Sequence, residues 1–369
     1  MTRTIRMLFP DPCADMGIAR TALSTCSHLG GEGLEAFMHV PTAAQAVRAP
    51  FLRPALPYVR FPIPWEPHFR LIASPARARL YRRFEAAIAD DDIAYLWSTV
   101  PLETFQRLRE RGIPIIREKF NCHVKAARDI LVEAYDRLGV ACPDTRISEQ
   151  TIAYERQSLS MSDFVSSPSP AVTESLAAEG IAPPRIIETS YGWDRRHVDI
   201  SARPRRDDDD GITVVFVGAV CVRKGVHLLL EAWARAGVRG RLVLCGAVEP
   251  IIADRCAEAL NRPDVFAPGR VKDVGRRYAS ADLFVLPSLE EGSPLVTYEA
   301  LAFGLPVLVS PMGAGGVVRN DEEGLIREPY DTDAWIEALR ALAADGELRR
   351  VLGEAARRRA EAFTWDRVG

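Results

Sequence analysis

Short apolar runs alternate along this chain with segments whose apolar positions recur every three or four residues. In the first half the runs are Thr4–Phe9, Phe37–Val40, Ile93–Trp97, Ile113–Arg117, Asp163–Ser166 and Arg185–Glu188. Between them lie helix-period segments at Ile18–Leu29, Ser74–Ala89, Leu102–Arg111, Val124–Leu138, Ile147–Ser160 and Ala171–Ala178. The alternation of these runs with helices from one end of the chain to the other predicts repeated βα units and parallel sheets.

The stretch Ser201–Gly211, SARPRRDDDDG, has almost nothing apolar and reads as a solvated linker. Beyond it the series begins afresh, with strands predicted at Thr213–Val217, Arg241–Cys245, Val265–Ala267, Asp282–Pro287 and Val307–Ser310. Helices are predicted at Gly225–Ala234, Ile251–Leu260, Asp273–Ala279 and Leu295–Phe303, with a last one from Glu347 to Phe363. A length of 369 residues also exceeds what one core supports. The expectation is α/β, with a doubly wound domain over residues 1–200, a linker over 201–211 and a second such domain over 212–369. Ligands of such sheets sit at the carboxyl ends of the strands, which places the chemistry in a cleft between the halves.

Composition narrows the partners. With 47% hydrophobic and 26% charged residues the chain is an ordinary globular one, and a net charge of −3 gives no footprint for nucleic acid. Seven scattered cysteines without a C-x-x-C pair suggest neither zinc nor redox chemistry, and a reducing compartment. The opening MTRTIRMLFPDPC is too short for a signal-peptide core, and no stretch is apolar enough to span a bilayer. A cytoplasmic chain is expected, peripheral to a membrane at most. Arg77, Arg79, Arg82 and Arg83, interleaved with Leu80, Tyr81 and Phe84, offer a face for such contact, although a solvated basic face is commoner.

The richest segment is Leu286–Val307, LPSLEEGSPLVTYEALAFGLPV. A strand ends at Pro287, a loop carries Glu290, Glu291 and Gly292, and Ser293 and Pro294 open a helix that continues from Leu295 through Glu299, with Ser293 expected to cap it. Free N–H groups at that start suit an anion, and Gly292 allows close approach. Two carboxylates beside an anion make sense as acceptors for neutral hydroxyls, which a nucleotide-sugar supplies. A second strand–turn–helix, VVFVGAVCVRKGVHLLL from Val214 to Leu230, brings Gly218, Arg223 and Lys224 to the same rim, where a cation stabilises a departing phosphate.

From Pro287 to Val307 the chain fits P-S-x-x-E-G-x-P-x-x-x-x-E-A-x-A-x-G-x-P-V, a string that resembles the signature of retaining family 4 glycosyltransferases with the GT-B fold. The resemblance implies two Rossmann-like domains facing a cleft, a nucleoside diphosphate sugar as co-substrate, a hydroxyl acceptor, and neither cofactor nor metal. It implies that Glu291 contacts the donor sugar, that Glu299 holds the ribose, and that Gly292, Ser293, Pro294 and Leu295 bring the helix start to the diphosphate. Lys224, with Gly218, Arg223 and Val271 around the donor, matches the phosphate-binding lysine, whereas the arginine usual after the first glycine is Ala219 here. In the first domain Gly17 stands where the family has a pair of glycines beside acceptor or phosphate. His123 matches a histidine that follows the fourth strand at the cleft mouth, where it hydrogen-bonds the sugar or shares a proton. Glu118 and Arg117 are weaker candidates, and Tyr191-Gly192-Trp193-Asp194 is similar to a hinge segment. The D-x-D runs at Asp90–Asp92 and Asp207–Asp210 read as solvated charge, and Gly313–Val317 as the family's glycine-rich loop rather than a dinucleotide fingerprint. The chain stops at Gly369 without the helix that usually crosses back to the first domain, which predicts looser coupling of the halves. A nucleotide-sugar epimerase and a nucleotide-binding module that has lost activity stand as alternatives.

Overall fold

The computed structural model describes residues 3–31, 33–58, 66–97, 99–143, 147–195 and 211–369, with side chains from residue 73 onward in the helix Glu66–Ala87. The first sheet has seven strands, β1 (Arg3–Leu8), β2 (Leu34–Val40), β3 (Leu52–Pro54), β4 (Ile93–Leu96), β5 (Ile115–Glu118), β6 (Phe164–Ser167) and β7 (Ile186–Glu188). They are ordered β3-β2-β1-β4-β5-β6-β7, and every pairing is parallel. The second sheet has six, β8 (Ile212–Val217), β9 (Gly240–Cys245), β10 (Val265–Gly269), β11 (Leu283–Leu286), β12 (Val307–Val309) and β13 (Gly324–Ile326). Their order is β10-β9-β8-β11-β12-β13, again all parallel. In both sheets the order reverses beside the first strand, so β1/β4 and β8/β11 are the switch points where ligand crevices open.

The sequence of each central strand explains its position. All six residues of β8, Ile-Thr-Val-Val-Phe-Val, are buried, as a strand covered on both faces requires. Alternation along β1 and β4 instead splits the first domain's core. Met7, Tyr95 and Trp97 pack on one face, and Leu8, Leu96, Phe84 and Phe105 on the other. The second domain's core is continuous and includes Trp233, Trp335, Tyr278 and Tyr298.

β3 and β13 are three-residue edge strands with no periodicity of their own, and the sequence reading lacked both, together with the helix Thr332–Ala344. The first sheet's last strand ends at Glu188 and the second sheet begins at Ile212; of the expected linker, residues 201–210 lie outside the described residues.

The end of the chain corrects an expectation. After the helix Gly346–Ala360 the backbone turns and a short helix, Trp365–Val368, does return to the first domain. Trp193 donates its backbone N–H to Phe363 O at 2.9 Å and its indole N–H to Ala360 O at 2.8 Å. The buried Trp365 ring packs 6.0 Å from Tyr191 and stacks 6.2 Å from His28, and His28 Nε2 lies 3.2 Å from Asp366 Oδ1. The two domains are therefore tied by aromatic packing at Tyr191–Asp194, the expected hinge.

Candidate active site

The carboxyl ends of both sheets face each other, and the loop after β11 is pressed against the first domain. A Cβ on Gly292 would sit 1.8 Å from Phe120 O, so only glycine permits this approach. Around it, Ser169 Oγ donates to Gly292 O at 2.6 Å, Asn121 Nδ2 donates to Glu290 Oε2 at 3.2 Å, and the Cys122 thiol points at Glu291 O, 3.2 Å away. The helix Leu295–Ala302 starts at Pro294 without a side-chain cap. Ser293 does not cap it as expected, because its hydroxyl is engaged with the Tyr298 hydroxyl at 2.7 Å and with Gly315 O at 3.3 Å. Tyr298 also meets Ser190 Oγ at 3.1 Å, which links this loop to the hinge.

The second domain's rim is a compact ion cluster. Gly225, with φ +66, lies so close to Pro287 that a Cβ would come 2.1 Å from its carbonyl, and this contact brings the turn Val222–Lys224 beside the loop after β11. Lys224 is ion-paired directly with Glu291. Arg223 Nη1 lies 3.2 Å from Glu290 Oε2 and 3.2 Å from Glu291 Oε1, and donates to Glu290 O at 3.0 Å. Burial and the neighbouring Arg223 push the Lys224 ammonium down, to about 7, against the pull of the acids around it. Arg223 thus stands in the rim where the exposed Ala219 offers no cation.

Glu299 lies five residues into its helix and takes the Tyr278 hydroxyl at 3.0 Å. With Leu295 it faces Arg20, Ser24 and Trp365 across a gap of about 20 Å3. Gly218, at φ +144, would bring a Cβ into van der Waals contact with Lys224 Cε and the Phe216 ring, both 3.7 Å away. Val271 sits half-buried at the edge of the second core. Gly17 opens the helix Gly17–His28 at φ +54 with nothing near it, flanked by the exposed Met16 and Ile18. Gly315 and Gly316 wedge between Pro294 of one domain and Pro170 of the other.

His123 is placed differently from the expectation. It is fully buried as the N-cap of the helix Val124–Arg137, its Nδ1 accepting from Lys125 N at 3.2 Å and its Nε2 3.3 Å from Glu155 Oε2. Burial lowers its pKa against the pull of Glu155. Its Nε2 has no hydrogen-bond partner among the described residues, and the neighbouring Cys122, Val124 and Glu155 line the cavity between the domains. Glu118 is buried between Tyr95 and Tyr191, whose hydroxyls both donate to it, Tyr191 at 2.6 Å, and burial raises its pKa.

Beside the ion cluster a cavity of about 850 Å3 opens between the domains, walled by Arg117, Lys119, Asn121 and Tyr154 on one side and by Arg223 and Glu290 on the other. The sequence reading missed Asn121, Ser169 and Tyr298, and took Glu290 only as a loop carboxylate. Asp92 is buried and ion-paired with Arg6, not solvated as expected, while Asp90 pairs with Arg111; Asp207–Asp210 lie outside the described residues. No group of three or more His, Cys, Asp or Glu side chains that could hold a metal exists among the described residues. Among them, too, no helix is long and apolar enough to cross a membrane. Of the arginine stripe, Arg77 binds Pro10 O and Asp11 and Arg83 binds Pro54 O and Ala55 O, while Arg79, Arg82 and Arg83 are exposed.

Comparison with known proteins divides the chain as its sheets do. Residues 16–192 match the family described as glycosyl transferase 4-like domain, and residues 199–359 match glycosyl transferases group 1. The D-inositol 3-phosphate glycosyltransferase of Salinispora tropica is 31% identical over 193 residues, 47% of this chain and 40% of that protein. Its counterpart in Rhodococcus erythropolis is 30% identical over 238 residues, 53% and 52% respectively. The chain thus spans about half or less of the length of these relatives. Among solved structures, sucrose-phosphate synthase from Thermosynechococcus elongatus superposes with a TM-score of 0.70 at 20% identity, over 99% of this chain and 96% of that one. WaaG, described as a glycosyltransferase involved in lipopolysaccharide biosynthesis, gives 0.67 at 16% identity over 99% and 97%. Anabaena HepE, solved in complex with UDP, gives 0.64 at 14% identity over 99% and 96%. At these identities the structures speak for the fold, which is GT-B.

Proposed function

Because the chain belongs to the group 1, family 4 glycosyl transferases, we propose that it moves a sugar from a nucleoside diphosphate donor to an acceptor hydroxyl with retention of configuration and without a metal. The observation that carries this reading is the ion cluster of Arg223 and Lys224 with Glu290 and Glu291 at the junction of the two domains. The buried Lys224 and the partly exposed Arg223 supply the counter-charge that a departing diphosphate needs, and a preorganised field of this kind often lowers the barrier to group transfer more than any other effect. The donor diphosphate takes Lys224 from Glu291, and Glu291, released, accepts from hydroxyls of the sugar. Glu299 then holds the ribose. The gap in front of Glu299, about 20 Å3, is too small for a ribose, so the donor is admitted by a parting of the domains.

Retention fits the pairing of Glu290 and Glu291 with cations, which leaves them to orient the sugar while the acceptor attacks from the face the phosphate leaves. The UDP complex of the similarly folded HepE supports a nucleotide in this fold, and the names of the curated relatives support sugar transfer. Calorimetric titration with UDP, GDP, ADP and TDP, with and without magnesium, tests the reading. One nucleotide should bind regardless of magnesium, and Glu299→Ala should weaken it about tenfold, as loss of a charge-assisted hydrogen bond does. Undiminished binding by that variant would remove the ribose assignment, and dependence on magnesium would remove the metal-free one.

A further inference from the structure

Four cations line the 850 Å3 cavity: Arg117, Lys119, Arg128 and Arg223. Three are matched, Lys119 by Glu155 at 2.9 Å, Arg128 by Glu149, and Arg223 by Glu290 and Glu291. Arg117 is not. It is 4% exposed and forms no ion pair with a carboxylate among the described residues; its Nη1 donates to Leu96 O at 3.3 Å, its guanidinium lies 5.9 Å from the Phe105 ring, and its Nε has no hydrogen-bond partner. The neighbouring Glu118 is taken by Tyr95 and Tyr191. A guanidinium keeps its charge under any condition in which a protein folds, so a buried and unmatched one is expensive unless an anion arrives to meet it.

The opposite wall shows the complementary want. Glu290 is 2% exposed; its Oε2 takes Asn121 and Arg223, but its Oε1 has no partner. A buried carboxylate oxygen calls for a hydrogen-bond donor. Ala127, Leu131 and Ile147 line the same space and leave room for an apolar stretch of ligand.

We propose that this cavity is the acceptor subsite and that it takes a small hydroxylated anion, a phosphate ester or a carboxylate, with its charge on Arg117 and a hydroxyl donating to Glu290 Oε1. The inference rests on the transferase reading, because Glu290 adjoins Glu291 and a hydroxyl held there lies beside the donor sugar.

Thermal unfolding of the full chain in inorganic phosphate, in acetate and in chloride at equal ionic strength tests it. Phosphate or acetate raises the melting temperature above chloride, and the stronger of the two identifies the ester or the carboxylate. Arg117→Gln should weaken that anion about tenfold or more, as loss of a hydrogen bond to a charged group does, with Arg117→Lys in between, while Lys224→Ala leaves it unchanged. In chloride, Arg117→Gln should melt no lower than the parent, since it removes an unmatched charge. If that variant does not fold, Glu290→Ala decides: glycerol 3-phosphate binds the parent more tightly than inorganic phosphate does, and Glu290→Ala abolishes the margin. Stabilisation lost in Lys224→Ala and kept in Arg117→Gln would put the anion at the donor diphosphate site and overturn the proposal, as would no stabilisation by either anion or an undiminished margin in Glu290→Ala. Nucleoside diphosphate titrations of the same proteins separate the two readings: absent nucleotide binding sinks the transferase reading, whereas a phosphate effect confined to Arg117 stands by itself.

Discussion

The two walls of the cleft follow one plan, parallel strands whose carboxyl-end loops meet, and they treat charge in opposite ways. On the second domain Arg223 and Lys224 are neutralised in place by Glu290 and Glu291. On the first, Arg117 is buried without an ion-pair partner among the described residues, and Glu118 is held by two tyrosines. A wall already neutralised exchanges its partners when a ligand comes, and a wall with one unmatched arginine gains a partner for it. The second therefore suits a doubly charged donor that must also leave, and the first suits a specific acceptor.

Substitutions in the ion cluster should have the largest effect. Lys224→Ala should lower the rate of sugar transfer by about 10²–10³, the usual result of removing one preorganised donor from a developing charge, with little change in acceptor affinity. An equal loss on both sides in acceptor and donor titrations would erase the contrast between the walls. The seam between them comes next. Trp365→Ala, which deletes the buried ring between Tyr191 and His28, should cost about 3 kcal/mol in denaturant unfolding. If it cost nothing, the return of the chain to the first domain would contribute no coupling. Gly292→Ala should reduce transfer about a hundredfold by holding the loop off Phe120 O, since a displacement of about 1 Å at a reacting centre costs about that much. Its melting temperature should change far less than its rate, because the steric conflict lies between domains.

pH gives a finer separation. The Lys224 ammonium is pushed down to about 7, chiefly by burial. Only its charged form attracts a diphosphate, so donor-side affinity should fall as pH rises through about 7, by at most about tenfold per unit. Lys224→Arg should flatten that profile. Arg117 does not titrate, and anion binding on the first domain should stay level over the same range until the anion itself changes charge.

Much of the second domain could be read from the sequence because its backbone leaves little choice of residue. Gly292 must pass Phe120 O, Gly225 must pass the Pro287 carbonyl, and Pro294 begins a helix, so the glycines and prolines around Glu291 and Glu299 announce the geometry. The first domain's functional surface is written in single polar residues on ordinary strand and helix positions. His123 has the chain position of a cleft residue, and its buried ring caps a helix by accepting from Lys125 N, with Glu155 beside its Nε2, a placement that no local pattern announces. Asn121 and Ser169 acquire meaning only where the two domains meet, and no local pattern reports a contact between residues 169 and 292. The edge strands β3 and β13 escaped because neither forms a plain apolar run, β3 being Leu-Arg-Pro and β13 opening on Gly324.

The exchange of partners at Lys224 is tested most directly by titrating Glu291→Gln with the nucleoside diphosphate alone. Removing the acid that occupies Lys224 should tighten diphosphate binding, by about tenfold for one charge-assisted contact no longer competed away, while transfer of the sugar falls. Diphosphate affinity that is unchanged or weaker in Glu291→Gln would contradict the account.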